Sequence, residues 1–415
     1  MEINISCGKD VQLVKVDKNN IQNILLPAKP DVIGLEGEII AERLKNPIGT
    51  GLLSSIVSEN DKVAIIVSDI TRPVPSYKIL PYVLAEINKC GIARENITIV
   101  FALGSHRRHT KEEQIKLVGE EIFNSYNCVD SDPDDCIHMG MTKAGTPVDI
   151  TKVVAHATKR ICIGNIEYHY FAGYSGGAKA IMPGCSTKAA IQTNHGKMTE
   201  KNARAAVVNG NPVRDDLEEA INYCPIDFIV NVILDENKNI VDAVCGHFIK
   251  AHREGCKLLD KLYAVEIEAT ADIVIVSQGG YPKDINLYQL QKALDNAKNA
   301  VKQGGTIILV GACNEGFGES LFEEWMLNGD SPRSIIERIE KDFKLGAHKA
   351  AAIAMVMEMA DIYLVSQMDK EIVEKINMVH FESVQAAFDK AMEKHGENAS
   401  VIIMPYGGST LPIVV

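Results

Sequence analysis

The sequence predicts an α/β protein with two domains, and three observations support that prediction. Short apolar runs rich in Val and Ile alternate with longer helical patterns, which is typical of parallel α/β layers. The chain has 415 residues, which is too long for one ordinary hydrophobic core. Hydrophobic residues make up 46% and charged residues 24% of the chain, so a packed core can form without disulfides. We expect a larger N-terminal domain with a mixed sheet and a smaller C-terminal domain with a mostly parallel sheet.

The N-terminal domain is predicted from its strands and the helices between them. "KVAIIVSD" at Lys62–Asp69 is a buried strand, and the helix around Tyr77–Cys90 that follows it ends at Gly91. Thr110 and Glu113 have the spacing of a capping box and open a further helix. Two more strands and one antiparallel hairpin complete the domain: "NITIVFALG" at Asn96–Gly104, "KRICIGNI" at 159–166, and the β-rich residues Asp227–Val244 around "DENKN".

A second series of strands begins at Ala271 and defines the C-terminal domain. Helix-length segments separate its strands, "ADIVIVSQGG", "GTIILVGAC", "ADIYLVS" and "SVIIMPYGG". The segment 266–271 links a helix to the first of these strands, so we divide the chain into domains at 1–268 and 269–405. For the tail at 406–415, one interpretation is a return to the N-terminal domain.

Composition and charge exclude several classes of partner. The net charge is −12 and the pI is near 5.5, whereas nucleic-acid binders concentrate Lys and Arg on one face. No apolar run approaches the roughly 20 residues needed to cross a bilayer, and the N-terminus lacks the pattern of a signal peptide. We therefore expect a cytoplasmic protein that binds neither nucleic acid nor membrane, and the sequence indicates no oligomeric state. The ten scattered cysteines are predicted to be free thiols, with Cys185 as a candidate ligand contact.

The unusual motifs of the sequence all follow predicted strands. "SDITRP", "GSHRRH" and "EYHYFAGYSGGAK" follow three strands of the N-terminal domain, and "SQGGYPKD" follows the first strand of the C-terminal domain. Ligands in open α/β sheets bind outside the carboxyl ends of the strands. We therefore expect the active site in a cleft between the two domains.

Three histidines lie within these motifs or close to them. A lone histidine is more often structural than catalytic, but His106 and His169 follow strand ends and His195 follows the glycine-rich loop. Together they indicate a functional site, whereas His109, in the turn into the next helix, is a weaker candidate. The sequence has no H-E-x-x-H, no cysteine cluster and no 2-His-1-carboxylate spacing. Any bound metal would therefore take most of its ligands from another molecule.

The loop "AGYSGGAKAIMPG" admits two interpretations. Its central residues Ser175, Gly176 and Gly177 could bring backbone N–H groups to a phosphate, or the loop could be only a tight connection. It matches neither the P-loop pattern nor G-x-G-x-x-G. Lys179 could be a phosphate counter-ion, a Schiff-base nucleophile, a cofactor attachment point or a solvated side chain.

Two further groups of side chains are candidates for substrate binding. Asp69 and Arg72 lie three residues apart after a strand, and could form a structural pair or present the guanidinium to a carboxylate. In "NLYQLQKAL", Tyr288 and Lys292 are four residues apart and share a helix face, so that Gln289 and Lys292 can face the cleft.

Taken together, the motifs resemble the nickel-dependent lactate racemase family over nearly the whole chain. The resemblance rests on six segments: "SDITR", "GSHR", "EYHYFAGYSGGAKAIMPG", "NHGKM", "GGYPKDINLYQLQKA" and "YGGSTLP". The block from His169 to His195 is the most specific part. The resemblance implies a nickel-pincer nucleotide as cofactor. This is a pyridinium-3,5-bisthiocarboxylic acid mononucleotide that binds Ni through two sulfur-bearing arms and a ring carbon, and other proteins synthesise it.

The resemblance also implies a role for each candidate residue. Lys179 would carry the cofactor covalently, and His195 would be the protein ligand to nickel. His106 and His169 would be the acid/base pair of a 2-hydroxyacid racemase, which removes the hydroxyl proton and passes the α-hydrogen to the cofactor as hydride. The other implied contacts are Ser175, Gly176 and Gly177 for the cofactor, and Asp69, Arg72, Tyr288, Gln289, Lys292 and His348 for the substrate.

His348 is a departure from the family pattern. "GAHKA" stands where lactate racemase itself carries a tryptophan at the pocket wall, and the single tryptophan here, Trp325, lies in another context. Unless His348 is structural, an imidazole there would admit a longer or more polar 2-hydroxy acid than lactate. The alternative functions are a pyridoxal-type Schiff-base racemase or lyase on Lys179, a zinc hydrolase, and a nucleotide-binding protein without turnover.

Overall fold

The structure, a computed structural model, describes residues 1–27, 34–235 and 237–415. The chain groups into two compact units. The central unit comprises residues 30–260, and the terminal unit comprises residues 1–29 and 261–415. Each unit contains a six-stranded sheet together with helices, so the predicted α/β class is confirmed.

Strands and helices alternate along most of the described chain. The strands are β1 Glu2–Cys7, β2 Asp10–Lys15, β3 Ile21–Ile24, β4 Val63–Ser68, β5 Ile97–Ala102, β6 Asn127–Asp130, β7 Cys136–Met141, β8 Pro147–Thr151, β9 Lys159–Asn165, β10 Tyr168–His169, β11 Gly173–Tyr174, β12 Phe228–Leu234, β13 Ile240–Gly246, β14 Ala264–Ile267, β15 Ala271–Ser277, β16 Val301–Val310, β17 Ala360–Val365, β18 Val379–Phe381, β19 Val401–Met404 and β20 Leu411–Val414. The α-helices are α1 Glu36–Lys45, α2 Leu53–Ile56, α3 Ser76–Asn88, α4 Lys111–Val118, α5 Glu120–Ser125, α6 Lys152–Ala155, α7 Lys188–His195, α8 Pro212–Ala220, α9 Lys250–Tyr263, α10 Leu287–Ala297, α11 Ser320–Leu327, α12 Pro332–Lys341, α13 Ala347–Met357, α14 Lys370–Lys375 and α15 Val384–His395. Short 3-10 turns occupy Arg94–Asn96, Gly177–Ala180, Gly196–Thr199 and Gly407–Ser409.

The central unit is built on a mixed sheet in the order β13-β12-β9-β4-β5-β6. β13 runs antiparallel to β12, as predicted for the hairpin at 227–244, and the other neighbours are parallel. From β4 the chain moves outward to β5 and β6, and then returns to β9 on the other side of β4. The strand order therefore reverses between β4 and β9, and such a switch point is where ligands bind in open α/β sheets.

Apolar runs explain why these strands and helices form. β4 has the sequence "VAIIVS" and buries its first five residues, as expected of a parallel strand covered on both faces. Helix α3 packs its apolar stripe against the same core. Burial of one such side chain contributes about 1.5–3 kcal/mol. The stripe consists of Ile79, Leu80, Val83, Leu84 and Ile87.

Helix α4 begins at the capping box predicted from the sequence. Thr110 Oγ1 accepts from the Glu113 backbone N–H at 3.3 Å, and Glu113 Oε2 accepts from the Thr110 N–H at 2.9 Å. Arg107 also donates to both carboxylate oxygens of Glu113, at 2.8 and 2.7 Å. These bonds fix the end of the loop between β5 and α4, which carries His106.

The terminal unit contains a parallel sheet in the order β18-β17-β16-β15-β19-β3. Its four inner strands coincide with the series predicted from Ala271 onward. The N-terminal strand β3 forms one edge through its pairing with β19. Ile273, Ile308 and Ile403 are fully buried in the core of this sheet.

The grouping of residues differs from the division predicted from the sequence. Residues 1–29 belong to the terminal unit, and the later change between units falls at 260–261 rather than at 268. Strand pairing is the physical reason, since β3 completes the parallel sheet of the terminal unit. The tail strand β20 pairs with β14, which also lies in the terminal unit.

The ten cysteines lie in the described part of the chain, and each is a free thiol. Cys185 is fully buried, and burial raises the pKa of its thiol far above the usual range. It therefore packs as an apolar side chain. No helix among residues 1–27, 34–235 and 237–415 has both the length and the apolar character that a membrane span requires.

Candidate active site

Three loops at the carboxyl ends of parallel strands carry candidate residues of the central unit. The loop after β4 holds Asp69 and Arg72, and the loop after β5 holds His106. The segment that follows β9 holds His169 and Lys179. Because β4 lies between β5 and β9, these loops leave neighbouring strands at the same edge of the sheet.

Asp69 and His106 form a hydrogen-bonded pair. Asp69 is 2% exposed, and its Oδ2 accepts from His106 Nδ1. Thr71 donates to Oδ1 of the same carboxylate from its hydroxyl at 2.8 Å and from its backbone N–H at 3.2 Å. Because a carboxylate oxygen only accepts, Nδ1 of His106 carries the hydrogen and Nε2 is the basic nitrogen.

The surroundings of Asp69 keep its carboxylate ionised. Burial raises the pKa of this carboxyl, but hydrogen bonds from His106 and Thr71 and the charges of His106 and Arg72 more than offset burial. The pKa of Asp69 is therefore below its usual value. Arg72 is exposed, and its Nη1 donates to Thr71 Oγ1 at 3.1 Å. Thr71 thus links Arg72 to the Asp69–His106 pair.

His109 ties the loop after β4 to strand β6. Its side chain is 1% exposed. Nε2 accepts from the Ile70 N–H at 3.0 Å, and Nδ1 donates to Asp130 Oδ1 at 2.7 Å. Both ring nitrogens are therefore engaged in structural bonds, which fits the ranking of His109 as the weaker candidate.

The ring of Phe171 is contacted by three of the predicted site residues. The imidazole centroids of His169 and His195 lie 4.5 and 4.9 Å from the Phe171 centroid. Lys179 Nζ lies 5.9 Å from the same centroid. The hairpin β10–β11 positions His169, whose Nδ1 accepts from the Ala172 N–H at 3.3 Å. One apolar ring thus brings together two imidazoles and one amine.

The pKa values of His169 and Lys179 are both far below their usual values. Burial is the larger cause for each group. The charges of Lys179 and His195 come next for His169, and the charge of Arg214 comes next for Lys179. The charge of Arg72 lowers the pKa of both groups, so the loop after β4 shares their electrostatic environment. The site favours a neutral imidazole and a neutral amine.

His195 is the last residue of helix α7 and is 7% exposed. Its Nδ1 lies 3.0 Å from Oδ1 of Asn194, and an amide oxygen only accepts. Nδ1 therefore carries the hydrogen, and Nε2 has the lone pair that a metal requires. Among the residues that the structure describes, no three His, Cys, Asp or Glu side chains gather as a metal site. A metal at His195 would take its remaining ligands from a bound group.

Backbone conformation explains why two positions in the loop after β9 are glycine. Gly173 and Gly176 have φ angles of +75° and +74°, in the left-handed region. A Cβ on Gly173 would lie 2.1 Å from Val207 O, and a Cβ on Gly176 would lie 2.7 Å from Asn231 Oδ1. The same Asn231 oxygen accepts from the Gly177 N–H at 2.8 Å. A side chain at either position would displace the atoms that shape the loop.

Buried donors hold the carbonyl groups of this loop. His252 Nε2 donates to Ser175 O at 2.7 Å. The N–H and C=O of a trans peptide point in opposite directions, so the Gly176 N–H points away from His252. A backbone N–H in a glycine-rich loop suits an anionic ligand. The fully buried Arg214 holds three further carbonyls: it donates to Ala172 O at 3.2 Å, to Gly176 O at 3.3 Å and to Tyr174 O.

The charge of Arg214 is stabilised by the charge of Glu218 and by these carbonyl dipoles. Glu218 binds Arg253 with both oxygens, at 2.8 and 2.7 Å, but lies 3.8 Å from Arg214. Burial lowers the pKa of Arg214 to about 10, so the guanidinium is still charged at neutral pH. The loop therefore lies beside a buried cation, whose field favours negative charge.

Two domain families match this chain. The lactate racemase N-terminal domain matches residues 7–206, and the lactate racemase C-terminal domain matches residues 266–412. The chain belongs to the lactate racemase family. The resemblance inferred from the motifs is therefore confirmed, and the protein is an isomerase.

Individual relatives agree with the family assignment. Lactate racemase of Thermoanaerobacterium thermosaccharolyticum is 36% identical over 344 residues, which are 81% of this chain and 80% of that protein. Lactate racemase of Lactiplantibacillus plantarum is 32% identical over 382 residues, which are 90% of each chain. The lactate racemase apoprotein from T. thermosaccharolyticum superimposes with a TM-score of 0.89 at 30% identity, covering 100% of both chains. A Thermotoga maritima protein shares the fold, with a TM-score of 0.64 at 16% identity over 94% of this chain and 100% of that chain.

In this lactate racemase family member, three substrate-contact candidates of the terminal unit lie on helix α10, namely Tyr288, Gln289 and Lys292. The helix is capped by Asn286, whose Oδ1 accepts from the Gln289 N–H at 3.0 Å. Lys292 is exposed. Lys349 lies against the start of the helix, with Nζ 3.8 Å from the Tyr288 ring centroid and 2.6 Å from Tyr288 O. Sequence analysis did not identify Lys349, because a single lysine carries no motif.

His348 and Lys349 lie in the first turn of helix α13, and both are buried. His348 Nδ1 accepts from the Gly346 N–H at 2.9 Å. Burial, followed by the charge of Lys349, lowers the pKa of His348 to about 3. Burial, followed by the charge of Lys292, lowers the pKa of Lys349 to about 7. The contact of His348 with substrate stays a prediction.

Several supporting residues of the central unit were missed by sequence analysis. Each is buried and has hydrogen-bond partners that are distant in sequence, so no local spacing could reveal it. These residues are Asn194, Arg214, Asn231 and His252. The roles assigned to the predicted site residues stay predictions.

Proposed function

We propose that this protein interconverts the enantiomers of a 2-hydroxy acid, with a nickel-pincer nucleotide attached to Lys179. The observation that supports the proposal best is the contact of His169, Lys179 and His195 with the ring of Phe171. An acid/base group, an attachment amine and a metal ligand are the protein groups that this chemistry requires. His106 lies in the loop that follows β5, a strand of the same sheet.

The substrate is lactate or a longer or more polar 2-hydroxy acid. The curated relatives are lactate racemases, which supports lactate. His348 and Lys349 are polar side chains at the start of helix α13 and support a more polar acid. Tyr288, Gln289 and Lys292 are proposed to contact the same substrate.

His106 takes the hydroxyl proton of the substrate. Its Nδ1–H is fixed by Asp69, so Nε2 is the basic nitrogen. The imidazolium that forms on proton transfer is stabilised by the ionised Asp69 carboxylate. Arg72, which is linked to this pair through Thr71, binds the substrate carboxylate through its guanidinium.

His169 is the second acid/base group and starts in a different hydrogen-bonding state. Its Nδ1 accepts from the Ala172 N–H, so Nε2 carries the hydrogen and donates to a substrate oxygen. To take a proton at Nε2, the ring must move its hydrogen to Nδ1 and release the Ala172 N–H. That bond is 3.3 Å long, at the weak end of the range.

The residues present fit the nickel-pincer nucleotide. The lowered pKa of Lys179 favours the neutral amine, which has the lone pair needed for an acyl-type bond. Nε2 of His195 is suited to nickel, and Ser175, Gly176 and Gly177 form the loop suited to the phosphate. When bound, the cofactor supplies a hydride acceptor at the substrate α-carbon, which no side chain can supply.

A racemisation assay tests the proposal. Protein purified from a host that synthesises the cofactor is incubated with single enantiomers of lactate, malate and longer 2-hydroxy acids, and the products are separated on a chiral column. We expect at least one acid to approach equal amounts of its two enantiomers. Protein that carries the cofactor but interconverts none of these acids would contradict the proposal.

Two histidine variants test the acid/base assignment. We expect His106→Ala and His169→Ala to abolish racemisation while the nickel content and the mass added to Lys179 are unchanged. His138→Ala, at an exposed histidine, is the matched control. Loss of nickel in either variant would show that base and metal ligand were exchanged in the assignment. If protein without nickel lost its colour on treatment with borohydride, the result would favour the alternative function, in which Lys179 forms a Schiff base with a pyridoxal-type cofactor.

A further inference from the structure

The carboxylate of Asp216 is a buried acceptor that joins three segments of the central unit. Asp216 lies on helix α8 and is 3% exposed. Four side chains donate to it, from the β7–β8 connection, from helix α7 and from the turn that follows α7. They are Thr142 Oγ1 at 2.5 Å, Thr146 Oγ1 at 2.7 Å, Asn194 Nδ2 at 2.7 Å and Lys197 Nζ at 3.1 Å.

These contacts fix the orientation of the Asn194 side-chain amide. Asn194 is fully buried, and its Nδ2 donates to Asp216 Oδ2 at 2.7 Å and to Val213 O at 3.1 Å. Both partners only accept, so Nδ2 and not Oδ1 must face them. The amide oxygen is thereby directed to His195 Nδ1, 3.0 Å away.

The orientation of this amide selects the tautomer of His195. With Oδ1 facing the ring, Nδ1 must carry the hydrogen and Nε2 keeps its lone pair. If the amide were reversed, its NH2 group would face Nδ1 and favour the Nε2–H tautomer. That tautomer has no lone pair on Nε2 for a metal.

We propose that Asp216 and Asn194 are positioning residues that hold His195 in the Nδ1–H tautomer, so that Nε2 is ready to bind nickel. The metal-binding part of this inference rests on the function proposed above, whereas the tautomer itself is a property of the protein alone. Asp216 acts through Asn194, whose Nδ2 donates to its carboxylate at 2.7 Å.

The tautomer is measured in the protein without cofactor. Imidazole nitrogens labelled with 15N are observed by long-range proton–nitrogen NMR above neutral pH, and His195 is assigned by the loss of its signals in His195→Gln. We expect a protonated Nδ1 and an unprotonated Nε2. A wild-type spectrum with the hydrogen on Nε2 would overturn the proposal without the use of any further variant.

Two variants test the positioning residues. Asn194→Leu removes the acceptor, and Asp216→Asn replaces a carboxylate that only accepts by an amide that can also donate; we expect each to lower the fraction of the Nδ1–H tautomer. Asn296→Leu is the matched control, because it removes another buried amide whose Nδ2 donates to Gly407 O at 2.8 Å in the terminal unit. Folded Asn194 and Asp216 variants that keep the wild-type tautomer would overturn the proposal.

Nickel content gives the second measurement. In protein loaded with the cofactor, we expect nickel affinity to fall about 10- to 100-fold in Asn194→Leu, with the mass added to Lys179 unchanged. An altered tautomer with unaltered nickel binding would overturn the metal-positioning claim. If wild-type protein gains no mass at Lys179, the proposed function fails, while the tautomer result stands on its own.

Discussion

The imidazole of His106 is hydrogen-bonded through Nδ1 to the buried carboxylate of Asp69. Two donors from Thr71 hold the other oxygen of that carboxylate, so its position is fixed from both sides. The pair leaves Nε2 of His106 as the basic nitrogen and places a negative charge where an imidazolium forms. This arrangement explains how a histidine on a loop can act as an oriented base.

Asp69→Asn is expected to lower kcat for racemisation by about 100-fold or more, because the two Thr71 donors would hold the amide oxygen and turn its NH2 group to His106, which favours the wrong tautomer, and because a neutral amide does not stabilise the imidazolium. Nickel content and cofactor attachment should stay at wild-type levels. Asp149→Asn is the control, since it removes the negative charge from another His–Asp pair, His138–Asp149, at 2.7 Å. Equal kcat values for Asp69→Asn and wild type would contradict the role of Asp69.

Gly173→Ala and Gly145→Ala separate steric exclusion from backbone strain. The two glycines have similar φ angles of +75° and +83°, but a Cβ at Gly173 meets Val207 O at 2.1 Å and a Cβ at Gly145 meets nothing within 4 Å. Urea unfolding should show a loss of about 1 kcal/mol for Gly145→Ala. Gly173→Ala should lose about 3 kcal/mol or more. Equal losses would mean that the loop can move away from Val207.

Arg214→Lys tests the buried donor of the glycine-rich loop. A lysine cannot reach the three carbonyls that Arg214 holds, so we expect a loss of about 3 kcal/mol in the free energy of unfolding. Arg43→Lys is the control, because Arg43 makes a bidentate hydrogen-bonded pair with Asp242 at the surface, with distances of 3.0 and 3.1 Å. That exposed pair should contribute less than about 1 kcal/mol. Similar losses for the two variants would contradict the special role of Arg214.

The lowered pKa of His348 predicts that the folded protein loses stability in acid. Its pKa is about 3 in the folded protein against 6.5 ordinarily, so between these values the unfolded state binds more protons than the folded state. Stability contributed by His348 is therefore complete above pH 6.5 and falls as the pH drops toward about 3. His348→Gln should reduce the difference in unfolding free energy between neutral pH and pH 5 by about 1–2 kcal/mol. An unchanged difference would mean that His348 is solvated.

The strands were predictable because parallel strands covered on both faces require unbroken apolar runs. β4, β5 and β9 and the inner strands of the terminal unit all coincide with such runs. The predicted helix at Tyr77–Cys90 is observed at Ser76–Asn88, and Gly91 follows it with a φ of +75°. Polar motifs directly after these strands were therefore placed correctly at the strand ends of the fold.

Long-range pairing was not predictable from local patterns. β3 joins the sheet of the terminal unit by pairing with β19, which lies near the other end of the chain. Arg214 and Asp216 stand in "NPVRDDLEEA", a pattern typical of an exposed polar helix, yet both are buried. The groups that they bind come from segments far away in sequence. The charge pattern of one helix therefore does not predict these contacts. Only the packed structure shows that these side chains support the loop and the histidine.

Mass spectrometry of the intact protein combined with nickel analysis tests the central claim most directly. Wild-type protein and Lys179→Ala are purified from a host that synthesises the nickel-pincer nucleotide. The account predicts that wild-type protein gains the mass of the cofactor at Lys179 with about one nickel per chain, and that Lys179→Ala gains no such mass. Wild-type protein that shows an unmodified Lys179 and no nickel, from cells that demonstrably make the cofactor, would contradict it.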